Sequence, residues 1–294
     1  MALFDASKLN LPFMKYRKLA MGLSIILILA SLASLMVKGV KLSVDFVGGV
    51  ELQVKFPVPA DVASVREALS SGGLPQTTIQ SYDDGSVSIR YQESDDDTQR
   101  AVIAALREKF GAVTIEKIDK VGPVVGQELR RQAEIAVTLA IVAILIYMAV
   151  RFRFRFGVAA VAALLHDSII MLGVYSFTGR EVGTWFIAAI LTVIGYSLND
   201  TIVVLDRVRE NWPQRTRLGI VELINNSINQ TLSRTINTAF TTLLPVLAMF
   251  FLGVEVMSNL AFAFLVGIGV GTFSSIYIAS SIVAEWYLRK PERK

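Results

Sequence analysis

The chain has 294 residues, of which 53% are of hydrophobic type and only 18% are charged, against roughly 25% charged in an ordinary soluble protein. It has no cysteine and a single histidine, His166, which excludes thiolate nucleophiles, disulfides and cysteine-ligated metals and argues against a zinc site built from several histidines. The net charge of +4 is small and its basic residues cluster beside apolar blocks, so it is not a nucleic-acid signature.

Those apolar blocks set the organisation, because a helical membrane span needs about 20 mostly apolar residues. Residues 1–18 form a basic N-terminal segment, and roughly 19–37 form the first candidate span. That stretch is too long for the apolar core of a signal peptide and lacks a small-residue cleavage site, so it is expected to stay as an anchor.

A polar stretch of about 95 residues follows, over 38–131. Residues 42–47 (LSVDFV) and 50–56 (VELQVKF) alternate as two strands divided by Gly48 and Gly49. Residues 61–70 read as a helix capped by Asp61, and 97–110 as a second helix capped by Asp97, with Val102, Leu106 and Phe110 on one stripe. Between the helices, 76–81 and 86–92 read as a hairpin around Asp83-Asp84-Gly85, and 112–119 as a last strand. The order ββαββαβ predicts a small α+β domain of ferredoxin-like type.

Five further spans are expected at about 133–150, 157–177, 183–205, 236–254 and 259–284, before a tail over 285–294. The fold class is therefore an α-helical polytopic membrane protein, six transmembrane helices with a ferredoxin-like domain between helices 1 and 2. Lys8, Lys15, Arg17 and Lys18 precede the first span; Arg151, Arg153 and Arg155 follow the second. Arg207, Arg209, Arg215 and Arg217 follow the fourth, and Arg289, Lys290, Arg293 and Lys294 follow the sixth. All four groups fall on one side, while the opposite short loops carry only Arg180 with Glu181, and Glu255. The positive-inside rule then makes both termini cytoplasmic and the polar domain external. Trp185, Trp286 and Tyr287 stand where interfacial aromatics are expected, and Pro245 is expected to kink the fifth span.

Ionisable residues inside a span are costly and mark a pathway or a buried pair. In the fourth span, GYSLNDTIVVLD (195–206) places Asp200 with Ser197 and Val204 on one helical face, and Asn199 about 100° away. Asp200 is either a carboxylate that carries protons or a static helix clamp. Burial and a nearby cation act on its charge in opposite senses, which would let that charge be switched. The fifth span brings Gln230, Arg234, Asn237 and Thr241 into one polar stripe. Lipid would leave this stripe unsatisfied, so it needs protein or water beside it. Arg234 is either the cation paired with Asp200 or an anchor snorkelling to the interface.

In the third span, His166 and Asp167 are either a second member of a proton relay or a buried interhelical pair. Adjacent helical residues point about 100° apart, which excludes a hydrolytic triad of His166, Asp167 and Ser168. In the sixth span, Gly267, Gly271 and Ser275 form a small-residue face for close helix packing. The nucleotide-binding Gly-rich loops are absent, as are the G-x-S-x-G and H-E-x-x-H motifs. No cofactor and no catalytic residue are expected, so a transporter of this kind must draw on a gradient or a partner.

The motifs DFVGG (45–49), VGPVVGQEL (121–129), RFRFRFGVAAVAALLHD (151–167), GYSLNDTIVVLDRVREN (195–211), NQTLSRTINTAFTTLLPV (229–246) and GIGVGTFSSIYIA (267–279) together resemble the SecD/SecF protein-export family of the resistance-nodulation-division superfamily. The resemblance covers nearly the whole chain and is to the SecF half. It implies a bacterial inner-membrane protein paired as a heterodimer with SecD, which would supply a homologous six-span half. It implies association with the SecYEG channel and YajC, with unfolded exported polypeptide as substrate. The motif residues Asp45, Phe46, Gly48, Gly49, Gly122, Pro123 and Gly126 would lie on the periplasmic side. By the same resemblance, Asp200 and Arg234 would serve proton movement, with Ser197, Asn199, Asn237, His166 and Asp167 as candidates beside them. Rival readings are a small-molecule or lipid efflux subunit of the same superfamily, an intramembrane protease using Asp167 and Asp200, and a scaffold that draws no energy.

Overall fold

The structure is a computed structural model that describes residues 10–58, 60–71, 77–81, 85–92, 95–253 and 255–290, leaving aside the side chains of 255 and 256. Lys8, Asp83, Asp84, Arg293, Lys294 and the side chain of Glu255 lie outside the described residues. Along the chain come α1 (Arg17–Lys38), the single turn α2 (Val44–Val47), β1 (Gly49–Lys55), α3 (Val62–Ser71), β2 (Thr78–Ser81), β3 (Ser86–Tyr91), α4 (Asp96–Phe110) and β4 (Thr114–Val121). There follow α5 (Pro123–Arg151), α6 (Phe154–Thr178), α7 (Thr184–Asn211), α8 (Ile220–Leu252), α9 (Glu255–Phe273), a π-helical turn (Ser274–Ala279) and α10 (Ser280–Arg289). Two compact units result, one of Leu42–Ile135 and one of Met1–Lys41 with Ala136–Lys294.

The smaller unit is a four-stranded sheet in the order β2-β3-β1-β4, antiparallel at every pairing. This is the βαββαβ arrangement of a ferredoxin-like fold. Val50, Leu52 and Val54 of β1 alternate onto one face, and Val87, Ile89 and Tyr91 of β3 meet them there. Val65 and Leu69 of α3 and Val102 and Leu106 of α4 close that core. The opposite face is polar. There Glu51 accepts from Ser88 Oγ at 2.7 Å and from Arg90 Nη2 at 3.0 Å.

Two local expectations are corrected. Residues 44–47 form one turn of helix, not a strand, despite their β-branched and aromatic composition. Ser43 Oγ accepts from the Asp45 amide at 3.3 Å, and Gly48 at φ +78° ends the turn. Asp95, not Asp97, caps α4, taking the Thr98 amide on Oδ2 at 2.7 Å.

In the larger unit all six candidate spans are helices long and apolar enough to cross a membrane. Of the apolar window in α6, 56% is buried within the chain, against 6% of that in α5. The third span is therefore the centre of the bundle, while the face of α5 is left to lipid or to another protein. α8 begins at Ile220, well before residue 236, because its first turns are amphipathic and escape a hydropathy window. Pro245 lies inside this helix without interrupting it. Tyr287 is buried against Trp212, with ring centroids 4.5 Å apart, and so packs inward where a rim position was expected.

Candidate functional site

Four helices of the larger unit converge on a buried polar core. α7 carries Ser197 and Asp200 on its inner face, 0% and 1% exposed, with Val204 at 1%. Asn199 is exposed on the outer side of the same helix, so the structure separates it from Asp200. Arg234 is also exposed on α8 and acts on Asp200 through space. Among the described residues, Asp200 Oδ2 has no hydrogen-bond partner. The direct Asp200–Arg234 pair expected from the sequence is thus not among the described ion pairs. The reason is geometric, since the inner face of α7 and the outer face of α8 do not bring the two groups into contact.

The rest of the α8 stripe follows Arg234 outward. Gln230 is engaged at its edge by Asn211 Nδ2 at 2.9 Å, and Thr241 returns its hydroxyl to the Asn237 carbonyl at 2.8 Å. Asn237 is partly buried and lies 3.4 Å from Ser233 Oγ through Nδ2.

Asp167 on α6 is the hub of the core. Its Oδ2 accepts from Ser197 Oγ at 2.5 Å and from Ser274 Oγ at 2.8 Å, and its Oδ1 lies 2.9 Å from His166 Nδ1. His166 Nε2 reaches Ser24 Oγ of α1 at 3.1 Å. Asp167 and His166 are 1% and 3% exposed, and Ser197 and Ser274 are both at 0%. Adjacency on a helix did not keep the His166 and Asp167 side chains from meeting edge to edge at 2.9 Å. Ser168 turns away and donates to the Leu164 carbonyl at 2.9 Å.

The small residues of the last span pack on this core. A Cβ at Gly267 would lie 2.5 Å from both Val193 methyls, and one at Gly271 would lie 2.9 Å from Ser197 Cβ. Ser275 Oγ lies 2.8 Å from Thr201 Oγ1 and 3.3 Å from the Ser197 carbonyl. At the π turn, Ser280 Oγ donates to the Ser275 carbonyl at 3.2 Å. Sequence reasoning missed Ser24, Ser274, Thr201, the π turn and Gly173, whose Cβ would lie 2.1 Å from Ser31 Cβ of α1. The available signal was the run of small hydroxyl residues inside apolar spans.

The glycine motif is built separately in the smaller unit. Gly48 and Gly49 both have positive φ, +78° and +117°. A Cβ at Gly49 would lie 2.5 Å from the Tyr91 carbonyl oxygen, and one at Gly48 would lie 3.0 Å from Pro123 Cα. Gly126, in the first turn of α5, would place a Cβ 3.0 Å from the Gly48 nitrogen and 3.4 Å from the Asp45 carbonyl oxygen. Phe46 is buried beside them, and Gly122 opens the turn by accepting the Gly126 amide at 2.9 Å. These residues form a close backbone crossing between α2 and the start of α5.

Residues 101–289 match the family described as protein export membrane protein SecD/SecF, C-terminal, and residues 33–56 match the SecD/SecF GG motif. The chain is 43% identical over 287 residues to the protein translocase subunit SecF of Desulfurispirillum indicum, covering 94% of this chain and 91% of that one. It is 40% identical to SecF of Vibrio alginolyticus, covering 96% and 91%. It is 42% identical to the protein translocase subunit SecDF of Thermus thermophilus, over 90% of this chain but 37% of that longer one. The crystal structure of SecDF from Thermus thermophilus, a translocon-associated membrane protein, superposes with a TM-score of 0.89 at 38% identity. That match covers 97% of this chain, which spans 40% of the solved one. The chain therefore belongs to the SecD/SecF family of protein export membrane proteins.

Proposed function

We propose that this chain is the SecF-type subunit of a protein translocase. In this reading it works in the bacterial inner membrane with both termini cytoplasmic and uses the transmembrane proton gradient to promote export of unfolded polypeptides. It needs no cofactor and performs no covalent catalysis. SecD is its partner, a pairing supported by the Thermus thermophilus relative that carries both halves in one chain. The SecYEG channel, YajC and the surrounding lipids complete the assembly.

The observation that carries the reading is Asp200. It is a fully buried carboxylate with an oxygen that, among the described residues, has no hydrogen-bond partner, and it lies within electrostatic reach of Arg234 on the next helix. A proton is the smallest group that can satisfy that oxygen, and taking it up removes the charge on which Arg234 acts. Helices α7 and α8 then shift relative to each other, and the external domain follows. Ser197, three residues before Asp200 on the same face of α7, bonds Asp167 of the His166–Asp167 pair, and Asn237 continues the polar surface beside Arg234. The outward stripe of Gln230, Arg234 and Thr241 is where a homologous half completes the path. One charge crossing 100 mV is worth about 2.3 kcal/mol, which biases a two-state equilibrium roughly fifty-fold.

The test is gradient-dependent export into membrane vesicles at matched expression and matched SecD. Asp200→Asn is expected to lose the gradient-dependent part while still co-purifying with SecD, and Arg234→Met to behave alike. Unchanged export would make Asp200 a structural clamp and the chain a scaffold.

A further inference from the structure

The bundle holds two buried carboxylates on neighbouring helices, and their surroundings are opposite. Asp200 has an oxygen without a hydrogen-bond partner among the described residues. Asp167 is saturated by three groups: Ser197 of α7, Ser274 of the π turn and His166 of its own helix. Through His166 it also reaches Ser24 of α1. Two carboxylates in contrasting environments take different roles, and the environment assigns them.

We propose that Asp167 is the positioning carboxylate of this site: it clamps the π turn of the last span to α7 one helical turn from Asp200, and it does not itself carry the transported proton. This rests on the proton-path reading of Asp200. Each contact has a consequence for that neighbour. Ser197 stands three residues before Asp200 on the same inner face, so its bond to Asp167 fixes the rotation of α7 about its axis. Ser274 opens the π turn, a geometry that a regular helix would replace unless something held it. The Ser274 hydroxyl also lies 3.1 Å from the Gly271 carbonyl, so a return to regular helix leaves it a local acceptor and costs only the clamp. Ser275, the next residue, binds the Ser197 carbonyl and Thr201, closing the same contact from the other side. Among the described residues the titratable group in contact with Asp167 is His166, and Asp200 stands on α7 one turn beyond the Ser197 that Asp167 binds. The groups from α1 and the π turn are the hydroxyls of Ser24 and Ser274.

The chemistry of the clamp yields a discriminating substitution. In Asp167→Asn the amide oxygen still accepts from Ser197 and Ser274. The amide nitrogen donates to His166 Nδ1, and the imidazole moves its hydrogen to Nε2 and donates to Ser24. Every contact survives, but the group can no longer be protonated. A proton carrier would be abolished by this change as completely as by Asp200→Asn.

The experiment compares Asp200→Asn, Asp167→Asn and Asp167→Ala in the full complex, reading gradient-dependent export in vesicles. Infrared difference spectra of the purified complex between high and low pH provide a second readout. Asp200→Asn is expected to lose gradient-dependent export and a protonated-carboxyl band that appears at low pH. Asp167→Asn is expected to keep that band and at least about a third of the export, since its hydrogen bonds remain. Asp167→Ala is expected to drop export about tenfold, since it removes a charge-assisted acceptor from two buried hydroxyls. Loss of the band, or of export to the level of Asp200→Asn, in Asp167→Asn overturns the inference while leaving the proton-path reading intact. Retained export in Asp200→Asn removes both. If Asp167→Ala does not accumulate in the membrane, the band in Asp167→Asn still decides.

Discussion

The contact between Gly267 and Val193 makes the helix packing beside the site measurable. In Gly267→Ala the new methyl would stand 2.5 Å from Val193 Cγ1 and Cγ2 and 3.0 Å from its Cβ. Val193 is 1% exposed and both methyls are obstructed, so no rotamer clears the space. α9 and α7 must then part by roughly an ångström to restore van der Waals contact. Overpacking of this kind costs about 1–3 kcal/mol. Val193→Ala alone removes two buried methyls and costs of order 2 kcal/mol. Together the substitutions relieve both 2.5 Å clashes, because the new Cβ occupies the space that the valine methyls vacate, and leave only the 3.0 Å approach of the two Cβ atoms, which a shift of a few tenths of an ångström absorbs. The double variant is expected to be more stable than the two single losses predict by about 1–3 kcal/mol. The assay is a double-mutant cycle by denaturant unfolding of the full chain in detergent, read beside export in vesicles. Export should follow the same pattern, since Val193 lies one turn before Ser197 and parting the helices there stretches the 2.5 Å bond to Asp167. Losses that add to within about 0.5 kcal/mol would refute the contact and with it the packing role of the small-residue face.

Two further outcomes follow from the smaller unit. Gly49→Ala meets both a left-handed backbone at φ +117° and the Tyr91 carbonyl oxygen at 2.5 Å, whereas Gly111→Ala meets φ +76° with nothing within 4 Å. Gly111→Ala is expected to cost about 1 kcal/mol, and Gly49→Ala at least about 3 kcal/mol, read as faster hydrogen exchange of β1 and β3 amides. Equal effects at the two positions would refute the close crossing. The second outcome concerns acid. The Thr98 amide and hydroxyl hold the Asp95 carboxyl below its ordinary value of 3.8. A depressed folded value means that the unfolded chain takes up the proton first as pH falls. The cap's contribution is therefore present above about pH 4 and is lost as pH falls through the lower folded value. Asp95→Asn keeps the cap but removes its acid dependence, so protection of the first turn of α4 should respond less to pH in that range, the remainder coming from Asp96 paired with Lys120. A response equal to wild type would refute the assignment of the cap to Asp95.

The legible parts of this fold are those that local pattern controls. Apolar block length separates six spans, and alternation together with turn residues separates strands from helices, which is sufficient for a ferredoxin-like order. Local pattern failed where a cap outweighed propensity. Val44, Phe46 and Val47 favour a strand, yet Ser43 and Gly48 close them into one helical turn. It failed again at α8, where Asn225 and Asn229, half-buried on the amphipathic start of the helix, hold the N-terminal segment. Asn225 accepts the Met14 amide at 3.1 Å, and Asn229 exchanges hydrogen bonds with Leu11 at 2.8 and 2.9 Å. A hydropathy window reads such residues as loop.

The site itself was half legible, and the division has a physical reason. A carboxylate in a span is conspicuous in one dimension, so Asp167 and Asp200 were both candidates from the sequence. Which of them has partners depends on Ser197 and Ser274, 30 and 107 residues from Asp167 along the chain, brought together only by close helix approach. Small residues permit that approach. Gly173 admits Ser31 of α1, Gly271 admits Ser197, and the π turn places Ser274 onto Asp167. The same hydroxyl that satisfies a carboxylate inside an apolar bundle is, in sequence, one more small residue on a helix face. The glycines and serines of the first, third and sixth spans are thus part of the electrostatics of the site as well as of its packing. A substitution at Gly173 or Gly271 should therefore change the hydrogen bonding of Asp167 before it changes the fold.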